Sequence, residues 1–227
     1  MTIKKQPHLV RAPLTDKELE SLTADDFVRL KLSDEEKARL RELNKSRQQE
    51  RAQRSARLKL EEEPILLDLQ RAGYNVTSVW DFVNMPTVYS GAIPILLKHL
   101  LLPYFDRTRE GIARSLAVAD PEVQRAWPIL VDQYCRAPIG FGVIAPGDTK
   151  EYRLGAKDGL ACALSAAVTD ETLSELIDIA RERIHGESRV LLLAALRRSK
   201  SPLAKRALKD FAGDPDLAKE IISWRDK

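Results

Sequence analysis

A short apolar run recurs in this chain. Pro64-Ile65-Leu66-Leu67-Asp68-Leu69, Pro94-Ile95-Leu96-Leu97-Lys98-His99 and Pro128-Ile129-Leu130-Val131-Asp132-Gln133 begin 30 and then 34 residues apart. Recurrence at that interval marks a helical repeat, whose units bury their apolar faces only by stacking on one another. Folds of this kind expose extended surfaces suited to binding.

Composition agrees with close-packed helices. Apolar residues make up 44% of the 227 and aromatics only 6%, with Ala and Leu prominent. A β-sandwich draws more heavily on aromatic and β-branched residues. No run of 18 uncharged apolar residues occurs, so no membrane partner is expected. The first 30 residues have no apolar leader segment. Cys135 and Cys162 lie in apolar stretches without a CxxC pattern, which reads as two buried, reduced thiols in a cytoplasmic protein. His8, His99 and His185 are scattered, so neither a metal site nor a cofactor is expected.

Charge divides the chain. From residue 64 onward, 22 basic residues face 21 acidic ones, whereas 37–59 holds nine basic residues against two acids. Arg47, Arg51, Arg54 and Arg57 lie in this basic stretch. Three readings stay open for it: a solvated helix, a dock for an acidic protein surface, or a contact for nucleic acid. Interleaved aromatics for base stacking are lacking, and so is the apolar face of a membrane-surface helix. Thr15…Glu18 and Ser33…Glu36 have capping-box spacing, so helices should start at 16 and 34. The second should run to about 60. Residues 1–62 are therefore expected to be a charged extension, partly helical and partly disordered, before a repeat domain at 63–227.

Beyond residue 63 the pattern predicts helices near 64–72, 78–84, 92–104, 107–118, 121–136, 153–168, 170–185, 187–199, 202–211 and 215–224, and no convincing strand. Asp120-Pro121, Ser201-Pro202 and Asp214-Pro215 each place a cap residue before a first-turn proline. Arg109, Lys157 and Arg189 open three segments with an apolar residue at +3 and Leu at +7, one helical face. Small residues at +4 or +6 allow close approach.

Ile93, Pro94, Leu96 and Leu97, then Asp106 and Arg109, then Ala113 and Leu116, together resemble a HEAT repeat. Residues 170–199 resemble one less closely, and 64–84 and 202–224 look like divergent end units. The resemblance covers roughly 160 residues. It implies an all-α, right-handed solenoid of about four to five helix pairs. It also implies that Arg109, Lys157 and Arg189 pair with acids in neighbouring repeats as an internal ladder. The competing reading makes the basic residues a binding stripe, extended by Arg114, Arg153, Arg197, Arg198 and Lys200. Residues 137–149 depart from the pattern, being an insertion rich in Gly and Pro that carries Ile139, Phe141 and Ile144.

No nucleophile elbow, phosphate loop or metalloprotease motif occurs, and no catalytic residue can be named. The expected role is a non-catalytic scaffold that binds another protein through the solenoid surface and the 137–149 loop. The alternative is a HEAT-like DNA glycosylase, which such a resemblance also admits, with Trp80-Asp81, Trp127 and Trp224 as the available site residues.

Overall fold

Hydroxyl caps start the first three helices. In the computed structural model, which describes residues 11–224, α1 (Asp16–Ser21) follows Thr15 and α2 (Ala24–Arg29) follows Thr23. Each cap forms a reciprocal box with the carboxylate three residues on. Ser33 and Glu36 form a third box at the head of α3 (Asp34–Arg71). The chain divides into two compact units, Met1–Ser55 and Ala56–Lys227. The boundary expected at 62/63 lies seven residues further on, inside α3.

α3 does not stop near residue 60. It runs 38 residues, through Pro64, so the first of the three recurrent runs continues a helix instead of opening one. Proline in a helix removes one amide and frees the carbonyl four residues back. Here both Pro64 and Leu60 are exposed, so that carbonyl faces solvent. Glu62, Ile65 and Leu69 keep one buried face across the proline. The other two runs do begin helices, with Pro94 and Pro128 in their first turns.

In the first unit α1 is tied to the head of α3. Arg39 reaches Asp16 and the Leu14 carbonyl, and Arg47 reaches Glu20 at 3.3 Å. Leu19 and Leu32 are its buried apolar side chains among the described residues.

In the second unit a 3-10 segment (Val79–Asn84) leads to α4 (Ile93–Leu100), α5 (Asp106–Ser115), α6 (Pro121–Arg125) and α7 (Trp127–Arg136). A break at Ala126 divides what the pattern predicts as one helix over 121–136. Then come α8 (Ala156–Ala167), α9 (Leu173–Arg181), α10 (Arg189–Arg198), α11 (Pro202–Phe211) and α12 (Pro215–Ser223). α5, α8 and α10 lie side by side, and the 3-10 segment extends the row beyond α5. α4 packs on α5, α7 on α8, and both α9 and α11 on α10, while α12 touches α10 and α11.

The shared register explains this row. Ile112, Leu116, Leu160, Leu164, Leu192 and Leu196 are all fully buried, being the +3 and +7 positions from Arg109, Lys157 and Arg189. Leu96 is the buried centre of α4, whereas Leu97 is only partly covered. Close helix approach involves the +2 glycines as well as the small +4 position, since a Cβ on Gly159 would meet the Ala113 Cβ at 3.1 Å. A Cβ on Gly159 would meet the Glu110 carbonyl at 2.9 Å, and one on Gly111 would meet Val79 and Trp80 side chains at 2.7 Å.

Between α7 and α8 the insertion forms a hairpin with two-residue strands, β1 (Phe141–Gly142) antiparallel to β2 (Tyr152–Arg153). These strands are too short for period-2 patterning to reveal them. Asp148, whose side chain is 2% exposed, holds the hairpin to Arg57 of α3 at 2.8 Å. The Ile144 carbonyl accepts the Arg107 amide at the start of α5. Among the described residues no helix is long and apolar enough to cross a membrane.

Candidate functional site

The register residues are structural, each in its own way. Arg189 is fully buried, and its guanidinium reaches Asp214 at 3.0 Å, Asp216 at 2.8 Å and the Ala180 and Gly186 carbonyls. That matches the acid pairing expected of it. Arg109 does not match. It donates to the neutral Gln133 amide oxygen at 2.8 Å. Lys157, 4% exposed, does not match either: it donates to the Tyr134 and Ala137 carbonyls, not to an acid, and lies over the Tyr134 ring. Burial lowers the Lys157 pKa, and burial pushes the Tyr134 phenol up to about 12. A fixed helical offset repeats the position of a basic residue, but the helix end that it meets decides its partner.

Of the candidate site residues, Arg114 lies on α5 and Arg197 and Arg198 on α10, whereas Arg153 lies on β2 of the insertion. Glu110 bridges Arg107 and Arg114, each at 2.8 Å, and Arg107 lies 3.8 Å over the Trp80 ring. Arg114 also approaches the Cys162 sulfur at 3.8 Å. Arg153 pairs with Glu187 at 2.8 Å and lies 3.8 Å from Asp158. Burial raises the Asp158 carboxyl and the Cys162 thiol above their ordinary values, against the pull of these arginines.

Two hollows open on this surface. The first, about 440 Å³, lies under the hairpin and gathers Ile139, Phe141 and Arg153 with Lys157, Asp158 and His185. Ile139 and Phe141 are strongly exposed, so the insertion presents apolar side chains outward. Ile144 is not among them; it is half-buried and engaged through its carbonyl. The second hollow is a groove of about 770 Å³ between α8, α10 and α12. Its floor is Ala117, Cys162, Ala166, Val190, Leu191 and Ala194. Its rim is Arg197, Arg198, Glu220 and Trp224. Arg197 stacks over the Trp224 ring at 4.8 Å, and Arg198 donates to the Ser165 carbonyl at 2.7 Å. Lys200 lies beyond Arg198, in a separate shallow depression.

The groove floor escapes the sequence pattern because Val190, Leu191 and Ala194 read as core. α10 has more apolar residues than its buried face at 192, 193, 195 and 196 uses. That surplus is the one signal that could have revealed the floor.

The basic extension does not act as one stripe. Arg47 pairs with Glu20, Arg51 is exposed, Arg54 is half-buried and Arg57 anchors the hairpin through Asp148. Cys135 is exposed and Cys162 half-buried, both free, so neither is the fully buried thiol expected. His99 contacts Asp68 and Tyr104, His185 rests on Tyr134, and His8 lies outside the described residues. No cluster suited to a metal ion occurs among the described residues.

The tryptophans do not share a neighbourhood. Trp80 packs on Gly111, Trp127 is buried and donates to Glu175 at 2.6 Å, and Trp224 lies under Arg197. Asp81 is engaged by Thr77 and Ser78 as a cap. Burial works against its charge, but these hydrogen bonds prevail and hold its carboxyl below the usual range. Compared with protein families, with curated proteins and with solved structures, the chain matches none.

Proposed function

We propose that residues 56–227 form a HEAT-type, right-handed solenoid that binds another protein. Contact is made through the groove between α8, α10 and α12, with Ile139 and Phe141 of the hairpin as a second apolar patch. The observation that carries this reading is the groove floor. Val190, Leu191, Cys162 and Ala166 are only partly covered there and Ala194 is exposed, beside Arg, Glu and Trp side chains. An apolar centre with a polar, aromatic and arginine-bearing rim is the anatomy of a protein interface. A phosphate-gripping surface instead gathers unpaired cations. Here Arg107 and Arg114 share Glu110 and Arg153 pairs with Glu187, and the two arginines left beside the groove, Arg197 and Arg198, border an apolar floor and are fewer than a phosphate track needs.

A photo-crosslinking amino acid at Ala194, in the full chain inside cells of the source organism, tests the reading. Protein adducts are expected there and not from a control position at the exposed Lys209 of α11. Nuclease-sensitive adducts at Ala194, or equal protein adducts at both positions, would overturn it.

A further inference from the structure

The groove also indicates the chemistry of its occupant. This inference rests on the protein-binding reading above. Arg197 and Arg198 stand at its rim, both exposed, and neither is paired with a carboxylate among the described residues. Arg197 has only a tryptophan ring and Arg198 only a main-chain carbonyl. Elsewhere on the same surface Arg107, Arg114 and Arg153 each have an acid within hydrogen-bonding distance. Among the described residues Glu220 is the one carboxylate lining the groove, and it accepts the Trp224 indole N–H at 2.9 Å. Two guanidinium groups therefore border an apolar floor without a neutralising carboxylate among the described residues. We propose that this groove receives an acidic amphipathic helix of a partner protein, its apolar stripe on Val190, Leu191, Ala194 and Ala166 and its carboxylates on Arg197 and Arg198.

The occupant is helical for a hydrogen-bonding reason. The groove walls are helices, whose backbone amides and carbonyls are already paired within themselves. An extended segment would enter with unpaired backbone groups and find no strand edge to receive them. A helix brings its own bonds satisfied. The floor from Val190 to Arg197 spans about 11 Å at 1.5 Å per residue, about two helical turns. The small side chains Ala117, Cys162, Ala166 and Ala194 leave the depth for a partner's Leu or Phe to enter. Carboxylates flanking that stripe would form paired bonds with the planar guanidinium groups. Phosphates of a nucleic acid would also be drawn to these arginines, but they have no use for an apolar floor.

The test uses two designed amphipathic peptides with Leu at i, i+3, i+4 and i+7, one flanked by Glu and the other by Lys, titrated by fluorescence anisotropy against the full chain. The Glu peptide is expected to bind at least about tenfold more tightly than the Lys peptide and to weaken as salt rises. The double variant Arg197→Glu/Arg198→Glu should reverse that preference. Both sites are exposed, so losing the Ser165 hydrogen bond and the Trp224 stack should lower the melting temperature only modestly, and a cooperative melt confirms that the variant is folded. Ala194→Glu should abolish binding of the Glu peptide. Equal affinities for the two peptides, no binding of the Glu peptide, or a preference unmoved by charge reversal would each overturn the proposal. So would a single-stranded or duplex DNA probe that binds more tightly than the Glu peptide and depends on the same two arginines. Protein adducts at Ala194 without Glu-peptide binding would leave the protein-binding reading standing and remove this inference alone.

Discussion

Glu36 and Glu62 lie on the same helix and are almost equally covered, yet their carboxyl groups are shifted in opposite directions. Glu36 belongs to the first unit. It accepts the Leu14 and Ser33 amides and pairs with Arg11 at 2.8 Å, and these hold its carboxyl below the usual range. Glu62 belongs to the second unit. Burial among its neighbours raises its carboxyl, although it accepts the Val79 amide at 3.2 Å. In the first unit, polar contacts organise the chain, because Leu19 and Leu32 are its only buried apolar side chains among the described residues. In the second, a continuous apolar core sets the geometry, and a charged group is kept where it fits that geometry.

The largest effects should come from the core. Leu96→Asp places a carboxylate where a fully buried leucine stood, at a cost of several kcal/mol, comparable to the whole stability of a domain. Circular dichroism should show no cooperative melt for residues 56–227. Leu19→Asp should leave that melt in place. If Leu96→Asp melts normally, the second unit is not held by its core, and the contrast fails.

Two truncations sharpen the boundary. Removing residues 1–55 should change the melting of the second unit by no more than about 0.5 kcal/mol. Removing 1–62 also deletes Arg57, which pairs with buried Asp148, and Glu61, which accepts the Phe105 amide at 2.6 Å and the Thr108 hydroxyl at 2.6 Å. Glu62 goes with them. The groups orphaned in the interior are the Asp148 carboxylate, the Thr108 hydroxyl and the Val79 amide, each costing about 1–3 kcal/mol, so this cut should lower the melting temperature sharply. Equal melting of the two truncations would show that 56–62 contributes nothing.

Helical periodicity made the second unit legible. The +3 and +7 positions of α5, α8 and α10 all face the core, because one face of a helix repeats in the sequence. The caps at Thr15 and Ser33 were legible because their contacts are three residues long. What stayed hidden depends on distant partners. Arg57 reads as one more member of a basic run, and its partner Asp148 is 91 residues away. Pro64 reads as a helix start, and only the shared buried face of Glu62, Ile65 and Leu69 shows that the helix continues. The groove floor on α10 could not be told from core by composition, since exposure of Val190, Leu191 and Ala194 depends on how α8 and α12 flank them.

Two arginines of one register test how far burial decides the energy. Arg189→Ala removes a fully buried guanidinium, leaves Asp214 only the longer ion pair to Arg183 at 3.6 Å among the described residues and takes the donor from two main-chain carbonyls, and should cost about 3 kcal/mol by denaturant unfolding. Arg109→Ala removes one hydrogen bond to a neutral amide and should cost about 1 kcal/mol. Equal losses would mean that the common offset, and not the partner, sets the contribution.

The smallest effect is the most specific to the contrast between the two glutamates. A carboxyl whose folded pKa is depressed binds fewer protons folded than unfolded, so its contribution is present above the ordinary glutamate value of 4.5 and is lost as pH falls below it. Glu36 is of this kind. A carboxyl whose folded pKa is raised binds more protons folded than unfolded, so its contribution is present below 4.5 and is lost as pH rises through the elevated folded value. Glu62 is of that kind. Amide hydrogen exchange, corrected for the intrinsic rate, reads each locally. On acidification from neutral pH to below 4.5, protection at Leu14 and Ser33 should fall. Over the window just above 4.5, protection at Val79 should rise. Glu62→Gln keeps an acceptor for Val79 without the charge and should flatten the Val79 response alone, while Glu36→Gln should weaken Leu14 and Ser33 protection at neutral pH. If Val79 protection falls together with that of Leu14 and Ser33, the hydrogen bond outweighs burial at Glu62, and the two units bury charge in the same way.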